Sequence, residues 1–367
     1  MYRRRRAQCA RRFLLRLLFA AALVGLSGSA LAAATQEKPL PIKVVVVSMF
    51  ETGELTGDAP GEFQLWIERM PLKQQWDFPL GEYPLRGNDD GVLGICTGGG
   101  QPNATASIMA LGLDPRFDLS RAYWLIAGIA GGDPEDVSLG SAVWAQHAVD
   151  GDLLYQIDGR EIPDDWPYGQ IPLGGEAPAD TPEDIYTDWT LDTIHFPLNA
   201  SLARWAYALT SEAPLLDTPA LRDFRKQFAK RPNARRAPFV TLGETLASST
   251  YWHGDLMNRW ANDWVRVYAG ADANFMTSGM EDAGTLTALG RLARLGKVDT
   301  DRVLILRTVS NYTTPPAGRD AAWSTTAPYP DDGYPALDAA YRVGRRAVDA
   351  LLKDWPQTRD TIPGADD

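Results

Sequence analysis

Apolar positions in this chain follow two alternating patterns. Ile42-Lys43-Val44-Val45-Val46-Val47-Ser48-Met49-Phe50 is a nearly unbroken β-branched run. A run without polar alternation predicts a strand buried on both faces of a sheet. Residues 91–96, 122–127 and 302–307 read the same way. Between them the spacing becomes helical over 103–113, 199–210 and 280–295. This alternation predicts an α/β fold with a central mixed, mostly parallel twisted sheet flanked by helices. One domain is expected over 42–355. Within it, 155–237 is rich in Pro, Asp and Trp and reads as an elaboration over the sheet's carboxyl edge, where α/β ligand sites form. Residues 33–41 read as a flexible lead-in and 356–367 as a disordered tail.

The N-terminus changes the charge reading. Residues 1–32 hold seven arginines and no acid, with an apolar stretch from Leu17 to Leu26 and an Ala30-Leu31-Ala32 ending. Basic, apolar and small-residue segments in that order predict a cleaved secretory signal and a periplasmic protein. Arg11-Arg12-Phe13-Leu14 leaves the twin-arginine route open. Removing those seven arginines takes the net charge from −11 to −18. A body that acidic argues against nucleic-acid partners, whose phosphates demand a basic face. No other apolar run reaches the ~20 residues that span a bilayer. Cys9 leaves with the leader, so Cys96 stands alone and reads as a small buried apolar residue. Export also argues against ATP- or NAD-dependent chemistry.

Four polar segments sit where strands should end. Thr97-Gly98-Gly99-Gly100-Gln101-Pro102-Asn103-Ala104 opens a helix directly after a strand. Its glycines allow backbone N–H groups to approach an oxyanion or a sugar. It lacks the Lys-Ser/Thr ending of a Walker loop. Ala127-Gly128-Ile129-Ala130-Gly131-Gly132 is a second glycine-lined turn. In Ser278-Gly279-Met280-Glu281-Asp282, Glu281 at a helix start offsets the dipole or accepts hydrogen bonds from a vicinal diol. Arg307-Thr308-Val309-Ser310-Asn311 ends a buried strand with an amide able to read a heterocycle edge. The three histidines are scattered and form no ligand motif, so no metal site is expected.

Taken in order, these segments resemble the nucleoside phosphorylase and nucleosidase superfamily, and within it most the purine nucleoside permease family. The resemblance covers about 42–314 and implies the three-layer nucleoside-phosphorylase-like fold. It implies that Glu281 holds the ribose diol and Met280 lines the sugar, with Gly99, Gly100, Asn103 and Gly131 at the ligand. Ser310-Asn311 matches the position whose Asp, in many relatives, protonates or hydrogen-bonds the purine. Asn311 donates a hydrogen bond but delivers no proton. Trp252, then Tyr251, match the aromatic that stacks on the base. A Glu after the first strand activates water in the nucleosidases; Glu51 and Glu54 both follow Phe50, spacing does not separate them, and Glu54 is favoured. Phosphorolytic relatives need arginines at a phosphate, and only Arg86 lies near the glycine-rich strand, so hydrolysis or transfer is preferred. The resemblance implies no cofactor, with phosphate left open as co-substrate. The implied ligand is a purine nucleoside; a membrane transporter partner and self-association are left open. The alternative is a non-catalytic nucleoside-binding component of transport.

Overall fold

In the computed structural model, which describes residues 38–179, 181 and 192–365, the valine run forms the middle of the sheet. Strand β1 (Val44–Ser48) is buried at every position. Successive side chains point to opposite faces. Val44 and Val46 join one apolar cluster with Trp66, Leu125 and Val343, while Val45 and Val47 join another with Ile108, Trp124 and Leu289. Two cores back to back explain why this stretch tolerates no polar alternation, and they make the fold helix, sheet, helix.

β1 pairs in parallel with β2 (Val92–Cys96) and β3 (Tyr123–Gly132). Next in the chain come β4 (Ala142–Asp150), β5 (Val240–Ala247), β6 (Phe275–Gly279) and β7 (Val303–Tyr312). β4–β5, β5–β6 and β3–β7 are parallel, whereas β6–β3 and β7–β4 are antiparallel. These pairings form a closed circuit, so half of the sheet curls on itself. β1 and β2 continue as an open wing, ending in the antiparallel strands Leu85–Gly87 and Gln74–Trp76. The sheet is mixed, with its longest registers parallel, in an α/β fold as anticipated.

The helices follow the sheet's apolar faces. The five longest among the described residues are α1 (Gln101–Gly112), α2 (Ala200–Thr210), α3 (Asp255–Ala269), α4 (Asp282–Ala293) and α5 (Tyr334–Lys353). α2 and α5 cover the first face; α1 and α4 cover the second. α3 packs Trp260 and Trp264 against Trp252 and Phe275. α2 begins where Asn199 accepts from the backbone N–H groups of Ser201 and Leu202, each at 3.1 Å.

Three expected boundaries change. Leu40–Pro41 already pairs with Phe117–Asp118, so part of the lead-in belongs to the sheet structure. β3 and β7 run past their apolar halves, because Ile129–Gly132 and Thr308–Tyr312 pair with each other across a register shift. The tail is folded through residue 365: Trp355–Thr358 is helical. The Thr358 carbonyl accepts from Tyr123 Oη at 2.7 Å and from Arg302 Nη1 at 2.8 Å, and the Arg359 carbonyl from Arg302 Nη2 at 2.9 Å. Arg302 is 2% exposed, and these carbonyls, with Asp299 Oδ2 accepting from Nε at 3.1 Å, satisfy its buried donors. The expected leader, 1–32, lies outside the described residues, as do 33–37, 180, 182–191 and 366–367.

Candidate functional site

A cavity of about 180 Å³ opens at the carboxyl ends of β1, β3, β6 and β7, with the segment after β5 forming one wall. β1 contributes Met49 and Phe50 just past its end, β3 contributes Ile129 to Gly131, β6 contributes Ser278 and Gly279, and β7 contributes Ser310 and Asn311. β1 and β7 run parallel to β3 and β6 meets the end of β3 from the opposite direction, so side chains there converge on one crevice.

The deepest group is Glu62, which sequence reasoning missed. After Phe50 the chain makes an excursion and returns, with Glu62 N donating to the Phe50 carbonyl at 3.1 Å. Glu51 holds the return in place. Its carboxylate accepts from Gly61 N, from Phe63 N at 2.9 Å and from Gln64 N at 2.6 Å, where helix Gln64–Arg69 starts. Glu62 therefore lies beside β1 despite its distance in sequence. Its Oε2 accepts from Met49 N and its Oε1 from Ile129 N, both at 2.7 Å. It is 5% exposed. Burial pushes its pKa up to about 8, assisted by nearby Glu281 and opposed by Arg307 and the two backbone N–H groups.

Behind Glu62 lies a buried ion cluster. Arg307 Nε donates to both Asp282 oxygens, Nη2 donates to Asp282 at 2.7 Å and to Glu281 Oε2 at 3.2 Å, and Nη1 donates to the Ile129 carbonyl at 3.1 Å. Carboxylates around the buried guanidinium hold its pKa above the usual arginine range. Glu281 Oε1 also accepts from Gly100 N at 3.1 Å, and Oε2 from Met280 N at 3.2 Å. One guanidinium faces three carboxyl groups, so the cluster stays net negative even with Glu62 neutral.

The opposite wall is aromatic and amide. Asn311 Nδ2 donates to Tyr251 Oη at 3.1 Å, and Ser310 Oγ donates to Asn311 Oδ1 at 3.0 Å. Tyr251 is half exposed, and Tyr329 stands beside it at the cavity's edge. Trp252 is buried against Trp260 and Phe275, with ring centroids 5.7 and 5.9 Å apart, so its indole is a fixed wall.

Of the residues expected from sequence, Gly131, Tyr251, Trp252, Met280, Glu281, Ser310 and Asn311 line this one cavity. Gly99, Gly100 and Asn103 do not. Gly100 anchors Glu281, while Asn103 Nδ2 donates to the Gly99 carbonyl at 2.9 Å and closes the turn on itself. Neither Glu51 nor the favoured Glu54 reaches the cavity. Glu51 is spent on the loop return, and Glu54 is exposed, its N–H donating to Asp58 at 2.9 Å. The elaboration at 155–237 supplies none of the described lining residues; Tyr329, from the segment between β7 and α5, takes that place. The missed Glu62 has one sequence signal: a carboxylate between Gly61 and an apolar run, Phe63 to Ile67, that has to be buried.

Elsewhere, His147 Nδ1 and His195 Nε2 meet at 2.9 Å across β4 and its edge strand, and burial with His147 beside it lowers His195 to about 4. Among the described residues, no group of three or more His, Cys, Asp and Glu is placed to hold a metal ion. Cys96 is buried at the end of β2, and burial pushes its thiol up.

A family model described as purine nucleoside permease matches residues 41–363. The chain belongs to the purine nucleoside permease family. A purine nucleoside permease from Candida albicans is 34% identical over 234 residues, 63% of this chain and 56% of that protein. The chain thus matches little more than half of that relative's length. A probable purine nucleoside permease of Schizosaccharomyces pombe is 32% identical over 271 residues, 72% of this chain and 76% of that protein. Among solved structures, a 5′-methylthioadenosine/S-adenosylhomocysteine nucleosidase from Neisseria meningitidis aligns with TM-score 0.48 at 15% identity, over 84% of this chain and 99% of that one. Futalosine hydrolase of Helicobacter pylori aligns with TM-score 0.47 at 13% identity, over 84% and 98%. The family membership agrees with the resemblance carried by the strand-end motifs.

Proposed function

We propose that this chain binds a purine nucleoside in the rim cavity and hydrolyses its N-glycosidic bond. The observation that carries the reading is one cavity in which Glu62 and the Glu281–Arg307–Asp282 cluster face Asn311 and two aromatic residues. Membership of the family supports a purine nucleoside as the ligand. Glu281 is suited to accept the ribose hydroxyls, since a carboxylate offers lone pairs to two adjacent O–H donors. Breaking the bond builds positive charge on the sugar, which the net-negative cluster stabilises, and moves electrons onto the purine. A carboxyl with a pKa near 8 is a strong base for a water proton once it has ionised, toward pH 8. Trp252 and Tyr251 orient the base.

Phosphorolysis is less well supported. No Lys or Arg is among the described lining residues, and a phosphate there would meet Glu62 and Glu281. Among the described residues no helix is long and apolar enough to cross a membrane. We propose that any part in uptake runs through release of a base or through a membrane partner, with the N-terminal leader directing export. The test is incubation with inosine, guanosine or adenosine, with and without phosphate, following free base by chromatography. Release without phosphate is expected. Tight binding without release would leave a nucleoside-binding component of transport instead.

A further inference from the structure

Asn311 leaves the departing purine without a proton donor, and the cavity holds a group that fits the task. We infer that Tyr251 is the acid that protonates the departing base, an assignment that rests on the hydrolytic reading above. Ser310 Oγ occupies the amide oxygen of Asn311 at 3.0 Å, which turns Nδ2 toward Tyr251 Oη at 3.1 Å. In that bond the phenol oxygen is the acceptor, so its own proton is not spent on Asn311. The same N–H steadies the oxygen as it gains negative charge. Ser324 and Tyr329 also interact with the Tyr251 hydroxyl. At neutral pH the phenol keeps its proton until the base departs.

Glu62 and Asn311 are both placed by β3. Glu62 is bonded to Ile129 N, and a side-chain carbon at Gly131 would stand 3.3 Å from Asn311 Nδ2. Two residues along a strand span about 7 Å. Glu62 and Asn311 therefore meet β3 at different points along the crevice. As the C1′–N9 bond breaks, its electron pair passes to the purine and the Tyr251 proton passes to a purine ring nitrogen. The water oxygen bonds to C1′ and its proton goes to Glu62. Solvent then returns one proton to Tyr251 and takes one from Glu62, leaving ribose and free purine.

The experiment compares Tyr251→Phe with the unaltered chain on inosine and on p-nitrophenyl β-ribofuranoside, whose leaving group departs without a proton. Inosine turnover is expected to fall about 100-fold or more relative to nitrophenyl turnover, with inosine Kd within about threefold. An unchanged ratio of the two rates overturns the assignment, and so does loss of inosine binding, which makes Tyr251 a binding residue. If the unaltered chain turns over neither substrate, the hydrolytic reading itself falls and takes the acid with it.

Discussion

Arg307 and Asp282 are 1% and 0% exposed, so neither charge has water to fall back on. Removing one partner of such a pair typically costs about 3–5 kcal/mol, because the other is left buried and uncompensated. Arg307→Met should lower the urea stability by that amount, and adding Asp282→Asn should restore more than half of it. If the double variant is no more stable than the single one, the pair is not coupled as described. Glu62 gives a second prediction through its proton. Its folded pKa of about 8 lies above the usual carboxyl value of 4.5. The folded state therefore holds a proton that the unfolded state has lost, and stability from this group declines as pH rises from about 4.5 to about 8. Glu62→Gln should flatten that part of the urea-stability profile; an identical slope would place the titration elsewhere. At this scale much of the site was legible, because Glu281, Ser310 and Asn311 sit in short polar segments that end buried strands. Glu62 was not, because its nearness to Met49 is made by a loop return that no local spacing encodes. Tyr329 was hidden for the same reason.

Elements explain what single residues cannot. α1 and α4 approach so closely that a side-chain carbon at Gly284 would collide with the Gln101 carbonyl, which has no rotamer to yield. Gly290, on the same helix, has nothing within 4 Å of that position. Gly284→Ala should destabilise by about 1–3 kcal/mol, whereas Gly290→Ala should stabilise by about 0.5–1 kcal/mol, since alanine favours a helix interior. Thermal melting of both distinguishes them, and equal shifts would contradict the packing. The loop that delivers Glu62 depends on Gly61, where a side-chain carbon would lie 2.7 Å from Glu51 Cα. Gly61→Ala should therefore reduce base release more than it lowers the melting temperature. The hydrophobic runs foretold the strand cores but not their polar ends. Ile129–Gly132 and Thr308–Tyr312 are strand because they pair with each other and with the ends of β6 and β4.

At the scale of the whole molecule, the C-terminal segment is structural. Its Thr358 and Arg359 carbonyls hold the buried Arg302 at the start of β7. Ending the chain after Trp355 should cost several kcal/mol, as expected when charged buried donors lose their acceptors, and urea unfolding measures it. Composition made this segment look unstructured, because its order comes from a partner more than fifty residues away. The closed circuit of β3 to β7 was likewise invisible to periodicity, which reports burial and not pairing. That circuit brings the ends of β3, β6 and β7 around one cavity, with the end of the adjoining β1 beside them, and the account stands on what the cavity does. The most direct measurement is the pH dependence of base release from inosine, without phosphate, for the unaltered chain and Glu62→Gln. The rate is expected to rise through about pH 8 as Glu62 gives up its proton, and the Glu62→Gln rate to be lower by about 100-fold or more with that rise abolished. Equal rates and profiles in the two proteins, or no base released at any pH, would contradict it.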